Sequence, residues 1–218
     1  SGSKLDCWKK EGKEVMNKYY FEGKTQEQAI NLALYELNIS EDDLIVNNVE
    51  DKSSLLKKNV KIEVLNIKEI ISFIKDTLNK ITELMGAKSN LEVKRREKSI
   101  SVTIFSENNA ILIGKNGKNV AALQLLIRQM INSKLKEPLS IIIDVGNYKE
   151  KRARSIEYLA KKLAREAYKT KTEVTMDSMN SYERRIVHEV LANDKYVYTE
   201  SIGEEPNRKV VIKLKESK

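Results

Sequence analysis

A Gly-x-x-Gly turn between two apolar helical segments constrains the fold of this chain more than any other sequence feature. It occupies residues 113–118, which read Ile-Gly-Lys-Asn-Gly-Lys. Glycine permits backbone angles that other residues avoid and leaves neighbouring N–H groups unshielded. A helix predicted to begin at Gly117 would point the positive end of its dipole at the same place. The turn is therefore suited to hold a phosphate, although a helix-to-helix turn that needs glycine only for its shape is the alternative.

The charge of the chain is unevenly distributed. Its 218 residues carry 40 Lys and Arg against 32 Asp and Glu, a formal net charge of +8. Residues 1–65 have a net charge of −2, whereas residues 66–148 and 149–218 each have +5. A localised positive excess favours a polyanionic partner.

Cysteine usage and hydropathy exclude several protein classes. Cys7 is the only cysteine, which excludes an intrachain disulfide and a thiolate zinc cluster and favours a cytoplasmic location. No apolar stretch approaches the roughly 18 residues that span a bilayer, so we expect no stable membrane insertion.

Hydrophobic periodicity predicts an α+β protein of three small domains, at residues 4–65, 66–148 and 149–218. In the first domain, strands around residues 15–21 and 60–64 accompany a helix that Thr25 caps. The second domain has the order helix, strand, strand, helix, helix, strand, and its last strand, residues 139–145, is apolar enough to be buried. The third begins with a long basic helix, predicted to link the domains, followed by a strand, a helix at residues 180–191 and two strands.

The middle domain resembles a KH domain of the bacterial topology, a family of single-stranded RNA and DNA binders. The resemblance rests on the element order and on the Gly-x-x-Gly turn between the second and third helices. It implies that the loop clamps the backbone of about four nucleotides while a neighbouring groove accepts unstacked bases. It also implies that Ile111, Ile113 and Val120 form the groove floor, with Arg128 at its rim. The clamp would consist of Gly114, Lys115, Asn116 and Gly117, with Lys118 directly after it.

A second motif lies in the last domain, where Arg184 and His188 share one face of the predicted helix. An arginine and a histidine one turn apart can hold a phosphate or a base together. Residues 180–188 and 201–208 resemble the R-three-H domain, which is named for its Arg-x-x-x-His core and is associated with single-stranded nucleic acids. The resemblance makes Arg184 and His188 the core pair and Arg208 a downstream basic residue, while Arg185 can serve in place of Arg184. The alternative is a half-buried His188 that only orders its helix and a solvated Arg184.

Taken together, the three domains resemble the bacterial Jag family over essentially the whole chain. The resemblance implies a cytoplasmic RNA-binding regulator of cell elongation and division. It also implies that the KH domain can pair with a small stand-alone KH protein. Independently of the resemblance, the helices of the KH domain offer a surface for pairing with a second copy. The N-terminal third departs from the family, because relatives often carry a Lys-Gly-Phe-x-Gly-like turn where residues 53–58 read Ser-Ser-Leu-Leu-Lys-Lys.

The sequence leaves two functional classes open and disfavours a third. The first is a non-enzymatic protein that binds single-stranded RNA, with single-stranded DNA as a related ligand. The second is an adaptor whose acidic N-terminal domain and KH helices bind other proteins. An enzyme is disfavoured because one histidine and one cysteine offer no evident nucleophile and base pair, and a phosphate-binding ATPase loop is missing. We therefore expect neither a cofactor nor a metal.

Overall fold

The computed structural model describes residues 16–51 and 59–215. These residues form six α-helices and nine strands, arranged in three sheets of three strands each, which confirms the α+β class. They fall into two compact units: residues up to Leu112 together with Asn119–Ile143, and Ile113–Lys118 together with the residues from Asp144 onward. Val15 and residues 53–58, on which two predictions fell, lie outside the described residues. In the part of the chain that is described, no helix is long and apolar enough to span a membrane.

The N-terminal domain is a three-stranded antiparallel sheet with one helix packed on it. Its strands are β1 (Tyr19–Gly23), β2 (Leu44–Asp51) and β3 (Val60–Asn66), in the order β1-β3-β2. Helix α1 (Gln26–Leu37) begins where predicted, because the Thr25 hydroxyl accepts a hydrogen bond from the Gln28 N–H. The small residues Ala29 and Ala33 of α1 let it approach β3 closely, and they are fully buried there.

The middle domain has the predicted element order. It comprises α2 (Ile67–Leu84), β4 (Ser89–Arg96), β5 (Ser99–Ser106), α3 (Asn109–Ile113), α4 (Lys118–Asn132) and β6 (Ser140–Val145), with strand order β4-β5-β6. Strand β6 is an edge strand, not the fully buried one that its apolar run suggested. Its residues alternate between buried and exposed, so that Ile141 and Ile143 lie in the core while Ile142 is 40% exposed.

The last domain packs two helices on a small sheet. Helix α5 (Tyr148–Thr170) and helix α6 (Ser181–Leu191) cover β7 (Val174–Thr175), β8 (Val197–Ile202) and β9 (Lys209–Leu214), whose order is β7-β9-β8. The apolar face of α5 is part of this core. Helix α5, which joins the middle and last domains along the chain as predicted, is therefore also an integral helix of the last domain. Its core residues are Ile156, Ala160, Ala164 and Ala167.

Two buried polar side chains fix the N-terminal sheet to the middle domain. Asp43 accepts hydrogen bonds from Lys68 Nζ at 2.8 Å and from Arg95 Nη1 at 2.6 Å. Lys68, then Arg95, and the Ser40 hydroxyl lower the pKa of Asp43 to about 2. Asn47 is 8% exposed and donates to the carbonyl of residue 134 at 3.2 Å while it accepts from the N–H of residue 136 at 2.7 Å. These directional bonds give the two domains one defined relative placement.

Candidate nucleic-acid interface

The Gly-x-x-Gly segment forms a tight turn between α3 and α4. Gly114 and Gly117 have φ of 68° and 76°, and Asn116 lies in the left-handed region with φ 53° and ψ 32°. The Gly117 N–H donates to the Gly114 carbonyl at 3.2 Å and closes the turn. Helix α4 begins at Lys118, one residue later than predicted, and its positive dipole end lies at the turn. Lys115 and Lys118 are both exposed there.

A tyrosine ring supports the turn from the same compact unit. A methyl group added at Gly117 would lie 2.7 Å from Tyr148 Cε1 and 3.1 Å from its hydroxyl oxygen. The ring of Tyr148, the first residue of α5, therefore rests directly on the backbone of the turn. Burial raises the pKa of the Tyr148 phenol, and the nearby Arg152 cation offsets only part of this rise. The phenol is therefore neutral at physiological pH. Gly117 is required by its neighbour as well as by its backbone angle.

The residues expected to form the KH groove differ in accessibility. Ile111 is 41% exposed, whereas Val120 is 4% exposed and belongs to the packed side of α4. Val120 therefore supports the helix and does not offer an open surface. Ile113 is half-buried, and Arg128 is exposed.

The sequence did not reveal that α4 leaves apolar side chains uncovered. Leu125 and Leu126 are 52% and 47% exposed. The buried face instead follows Val120, Leu123 and Ile127, a spacing of three and then four residues. Helical spacing places Leu126 outside this face. These side chains add exposed apolar surface to the helix that follows the turn.

Arg184 is placed inside the last domain. Its side chain is 9% exposed, and Nη2 pairs with Glu205 Oε1 at 2.8 Å while Nη1 donates to the Met179 carbonyl at 2.8 Å. The guanidinium thus ties the start of α6 to the turn between β8 and β9. A charge held in this way mainly positions the surrounding surface.

His188 is also tied to its own domain. Its Nδ1 lies 2.6 Å from Thr199 Oγ1 and its Nε2 lies 2.8 Å from Ser201 Oγ, so both ring nitrogens contact hydroxyls of β8. Burial lowers the pKa of His188, and the nearby Arg184 cation lowers it further. The imidazole is therefore neutral at pH 7 and half-buried. The alternation of Thr199 and Ser201 along β8 is a period-two signal that could have identified these partners.

The other predicted basic residues of this domain are accessible. Arg185 is exposed and pairs with Glu189 Oε1 at 2.7 Å, one helical turn away. Arg208 is exposed in the turn that contains Glu205. The structure thus brings Arg184 and His188 together on α6 as a buried and half-buried pair, with Arg185 and Arg208 at the surface.

Sequence reasoning missed the residues that orient α6. Asn180 and Glu183 form a reciprocal capping box at its N-terminus. Glu183, 4% exposed, also accepts a hydrogen bond from Arg152 Nε at 2.8 Å, which holds α6 against α5. The Asn-x-x-Glu spacing in residues 180–183 was the available signal. Among the described residues, no three His, Cys, Asp or Glu side chains are grouped as a metal site would require.

Comparison with known proteins matches the same three domains in the same order. The Jag N-terminus matches residues 21–65, the KH domain of KhpA and KhpB matches residues 72–143, and the R-three-H domain matches residues 154–214. The chain is 36% identical to RNA-binding protein KhpB of Clostridium symbiosum, over 88% of this chain and 89% of that protein. It is 30% identical to RNA-binding protein KhpB of Bacillus subtilis, over 88% of this chain and 96% of that protein. Similarity of this extent shows that the chain belongs to the KhpB, or Jag, family.

Proposed function

We propose that this chain binds single-stranded RNA without catalysing a reaction. The observation that carries the proposal is the turn at Gly114–Gly117, where a helix N-terminus and two exposed lysines meet on a backbone that Tyr148 holds in place. Phosphate binding needs donors and positive charge at one point, and both are present there. The names of the relatives, which are RNA-binding proteins, support RNA over DNA, and single-stranded DNA is a secondary ligand.

The R-three-H domain contributes a second contact in this proposal. Arg185 and Arg208 bind phosphates at the surface, and His188 offers its exposed side to the same strand. Arg184 acts as a positioning residue because its guanidinium is already bonded to Glu205 and to a carbonyl. Together with Gly114, Lys115, Asn116, Gly117 and Lys118, these residues form two modest sites on one chain, whose joint affinity exceeds that of either site through effective concentration.

The domain boundaries and the cellular setting are part of the same proposal. We assign residues 4–65, 66–148 and 149–218 to the three domains. The family resemblance supports a cytoplasmic regulator of cell elongation and division. It also supports pairing of the KH domain with a second copy or with a small KH protein, for which the exposed Leu125 and Leu126 offer apolar surface.

The Ser201–His188 contact does not favour a hydrolase. A serine triad needs a carboxylate on the other imidazole nitrogen, to orient the ring and stabilise its charged form. In this chain the group on Nδ1 is the Thr199 hydroxyl, and the pKa of His188 is lowered. The pair is better explained as a structural bridge between α6 and β8.

The adaptor function remains an outcome that the experiment can reveal. The acidic charge of the N-terminal domain favours that function. Part of this charge is the Asp43 carboxylate, however, which forms ion pairs with Lys68 and Arg95 of the middle domain. This use within the chain explains some of the acidity without an external partner.

Binding of a labelled single-stranded RNA pool across a salt series tests the proposal. We expect affinity to fall with salt, to weaken in Lys115→Asp/Asn116→Asp, and to weaken independently in Arg185→Ala/Arg208→Ala. If the parent chain binds no RNA but recovers a protein partner that persists after nuclease treatment, the adaptor function replaces RNA binding. If only the second variant weakens binding, the KH loop is not the clamp.

A further inference from the structure

Helix α5 carries a continuous basic stripe that the two proposed RNA sites do not use. At 3.6 residues per turn, its members lie within about 100° of the helix circumference. They extend over about 27 Å along the axis at 1.5 Å per residue. All of them are exposed, and we refer to them as the α5 stripe: Lys151, Arg154, Tyr158, Lys161, Lys162, Arg165 and Lys169.

Acidic side chains of α5 stay outside this stripe. Of the two cations nearest the helix start, Arg154 pairs with Glu150 at 2.5 Å and Lys151 donates to a backbone carbonyl at 2.9 Å. No ion pair forms within the described residues at the other four cations, Lys161, Lys162, Arg165 and Lys169. Like charges three and four residues apart destabilise a helix. Glu157 and Glu166 lie one turn from Lys161 and Lys162, yet no acid lies within the stripe itself. The stripe therefore keeps an excess of positive charge along its whole length, which favours an anionic ligand.

An exposed aromatic ring stands inside this charge. Tyr158 is 72% exposed, and its neighbours one turn away are Arg154, Lys161 and Lys162. Surfaces that bind single-stranded nucleic acid combine cations that follow the backbone with aromatic rings on which bases stack. The α5 stripe has both components on one rigid element.

The apolar face of α5 argues against a lipid surface as the ligand. An amphipathic helix binds a membrane by burying its apolar face in the bilayer interface. In this chain that face, which includes Ile156 and Ala160, is already buried in the core of the last domain. Besides Tyr158, the large apolar side chains that α5 leaves exposed are Leu159 and Tyr168, which lie on opposite sides of the helix and form no continuous apolar face. Tyr158 itself stands within the charge.

We propose that the α5 stripe is a third contact surface for RNA, on which Lys161, Lys162 and Arg165 bind consecutive phosphates and Tyr158 stacks on a base. The inference rests on the proposed RNA-binding function. The stripe begins close to the Gly-x-x-Gly turn. Tyr148, whose ring rests on Gly117, is the first residue of α5, and the first residue of the stripe, Lys151, follows one helical turn later. RNA held at the turn can therefore continue along a helix of the same compact unit.

A charge-neutralised variant with a matched control tests the phosphate contacts in the full chain. Lys161→Gln/Lys162→Gln/Arg165→Gln removes three charges and keeps helix propensity, since all three residue types are good helix formers. The control, Lys24→Gln/Lys75→Gln/Lys80→Gln, removes three exposed charges elsewhere. Binding of a labelled RNA pool is measured between about 50 and 200 mM salt. We expect the salt slope to decrease by about 2 in the stripe variant, at about 0.7 per phosphate contact, and to stay unchanged in the control.

Substitution of the ring tests base stacking separately. Tyr158→Ala removes the stacking surface, whereas Tyr158→Phe keeps it. We expect about 5- to 150-fold weaker RNA binding for the alanine variant and parental affinity for the phenylalanine variant. Equal affinity of all three proteins would remove the ring from the proposal.

The outcomes separate this inference from the function on which it rests. An unchanged salt slope in the stripe variant, with binding still weakened by Lys115→Asp/Asn116→Asp, overturns the α5 stripe and leaves the KH clamp intact. A parent chain that binds no RNA overturns both. Phosphatidylglycerol vesicles that bind the parent but not the stripe variant, while RNA binding is the same in both, would assign the stripe to lipid instead.

Discussion

The contact between Gly117 and Tyr148 predicts an unusually large cost for a single methyl group. In Gly117→Ala the backbone must hold an alanine at φ 76°, and the new Cβ meets Tyr148 Cε1 at 2.7 Å. The left-handed conformation alone costs about 1–2 kcal/mol. Moving a half-buried ring out of the way adds about 1–3 kcal/mol, as overpacking does elsewhere. The sum predicts that the free energy of unfolding falls by roughly 2–5 kcal/mol.

Gly203 supplies a matched control in the same compact unit. Its φ is 81°, and the nearest atoms to an added Cβ are 3.8 Å away, an ordinary contact distance. Gly203→Ala should therefore show only the backbone cost of about 1–2 kcal/mol. The difference between the two variants isolates the contact with the ring.

Urea unfolding followed by circular dichroism measures both variants. Because the two compact units can unfold separately, the free energy of unfolding should be taken from the transition of the unit that contains both Gly117 and Gly203. Repeating both alanine substitutions in a Tyr148→Ala background should abolish the excess cost at Gly117 and leave the cost at Gly203 unchanged. Equal costs for Gly117→Ala and Gly203→Ala in the parent would refute the packing of Tyr148 on the turn.

Four further predictions concern three buried or half-buried polar groups and one exposed arginine. The pKa of Asp43 is lowered to about 2 in the folded chain, so its contribution to stability is complete above the unfolded pKa of about 3.9 and is lost as pH falls toward 2. In Asp43→Asn, the free energy of unfolding should no longer show this loss between about pH 4 and pH 2. The pKa of His188 should lie below the unfolded value of about 6.5, so that its contribution to stability declines as pH falls below that value. The single histidine signal in an NMR titration reports this pKa directly, and a value above 6.5 would contradict the assigned environment. Arg184→Ala should lower the free energy of unfolding by roughly 2–4 kcal/mol, because it leaves a buried carbonyl and Glu205 without their partner. Arg185→Ala should leave the free energy of unfolding nearly unchanged and weaken RNA binding. Urea unfolding and an RNA titration measure the two quantities, and a loss of stability with unchanged RNA affinity would contradict the prediction.

Much of the fold follows from local sequence rules. Helical spacing of apolar residues predicted α2 and α4, and the Thr25 cap fixed the start of α1. The end of strand β3 and the start of α2 share Asn66, whose side chain caps the helix. Caps and periodicity depend only on neighbours along the chain, which is why they can be recognised from sequence.

The roles of the site residues depend on partners that are distant in the sequence. Spacing placed Arg184 and His188 on one helix face, but their partners Glu205, Thr199 and Ser201 belong to β8 and the turn after it. Burial of an arginine or a histidine follows from such tertiary pairing and not from its own helix. The Tyr148–Gly117 contact was hidden for the same reason, since the two residues are far apart along the chain.

The edge position of β6 and the packing of α5 also required the assembled structure. Both segments have the apolar content of buried elements, yet one face of β6 is open and only one face of α5 is covered. Which neighbours cover a segment is set by the sheet order, and the apolar run of β6 contains no information about it.

Ultraviolet cross-linking of the full chain to single-stranded RNA, followed by mass spectrometric mapping of the cross-linked peptides, identifies the segments that contact RNA. We expect cross-links in the peptide that contains Gly114–Lys118 and in those that contain Arg185 and Arg208. Lys115→Asp/Asn116→Asp should remove the first set while the second persists. Cross-links confined to the N-terminal domain, or no cross-links at all, would contradict the claim that this chain holds RNA through its KH turn and its R-three-H domain.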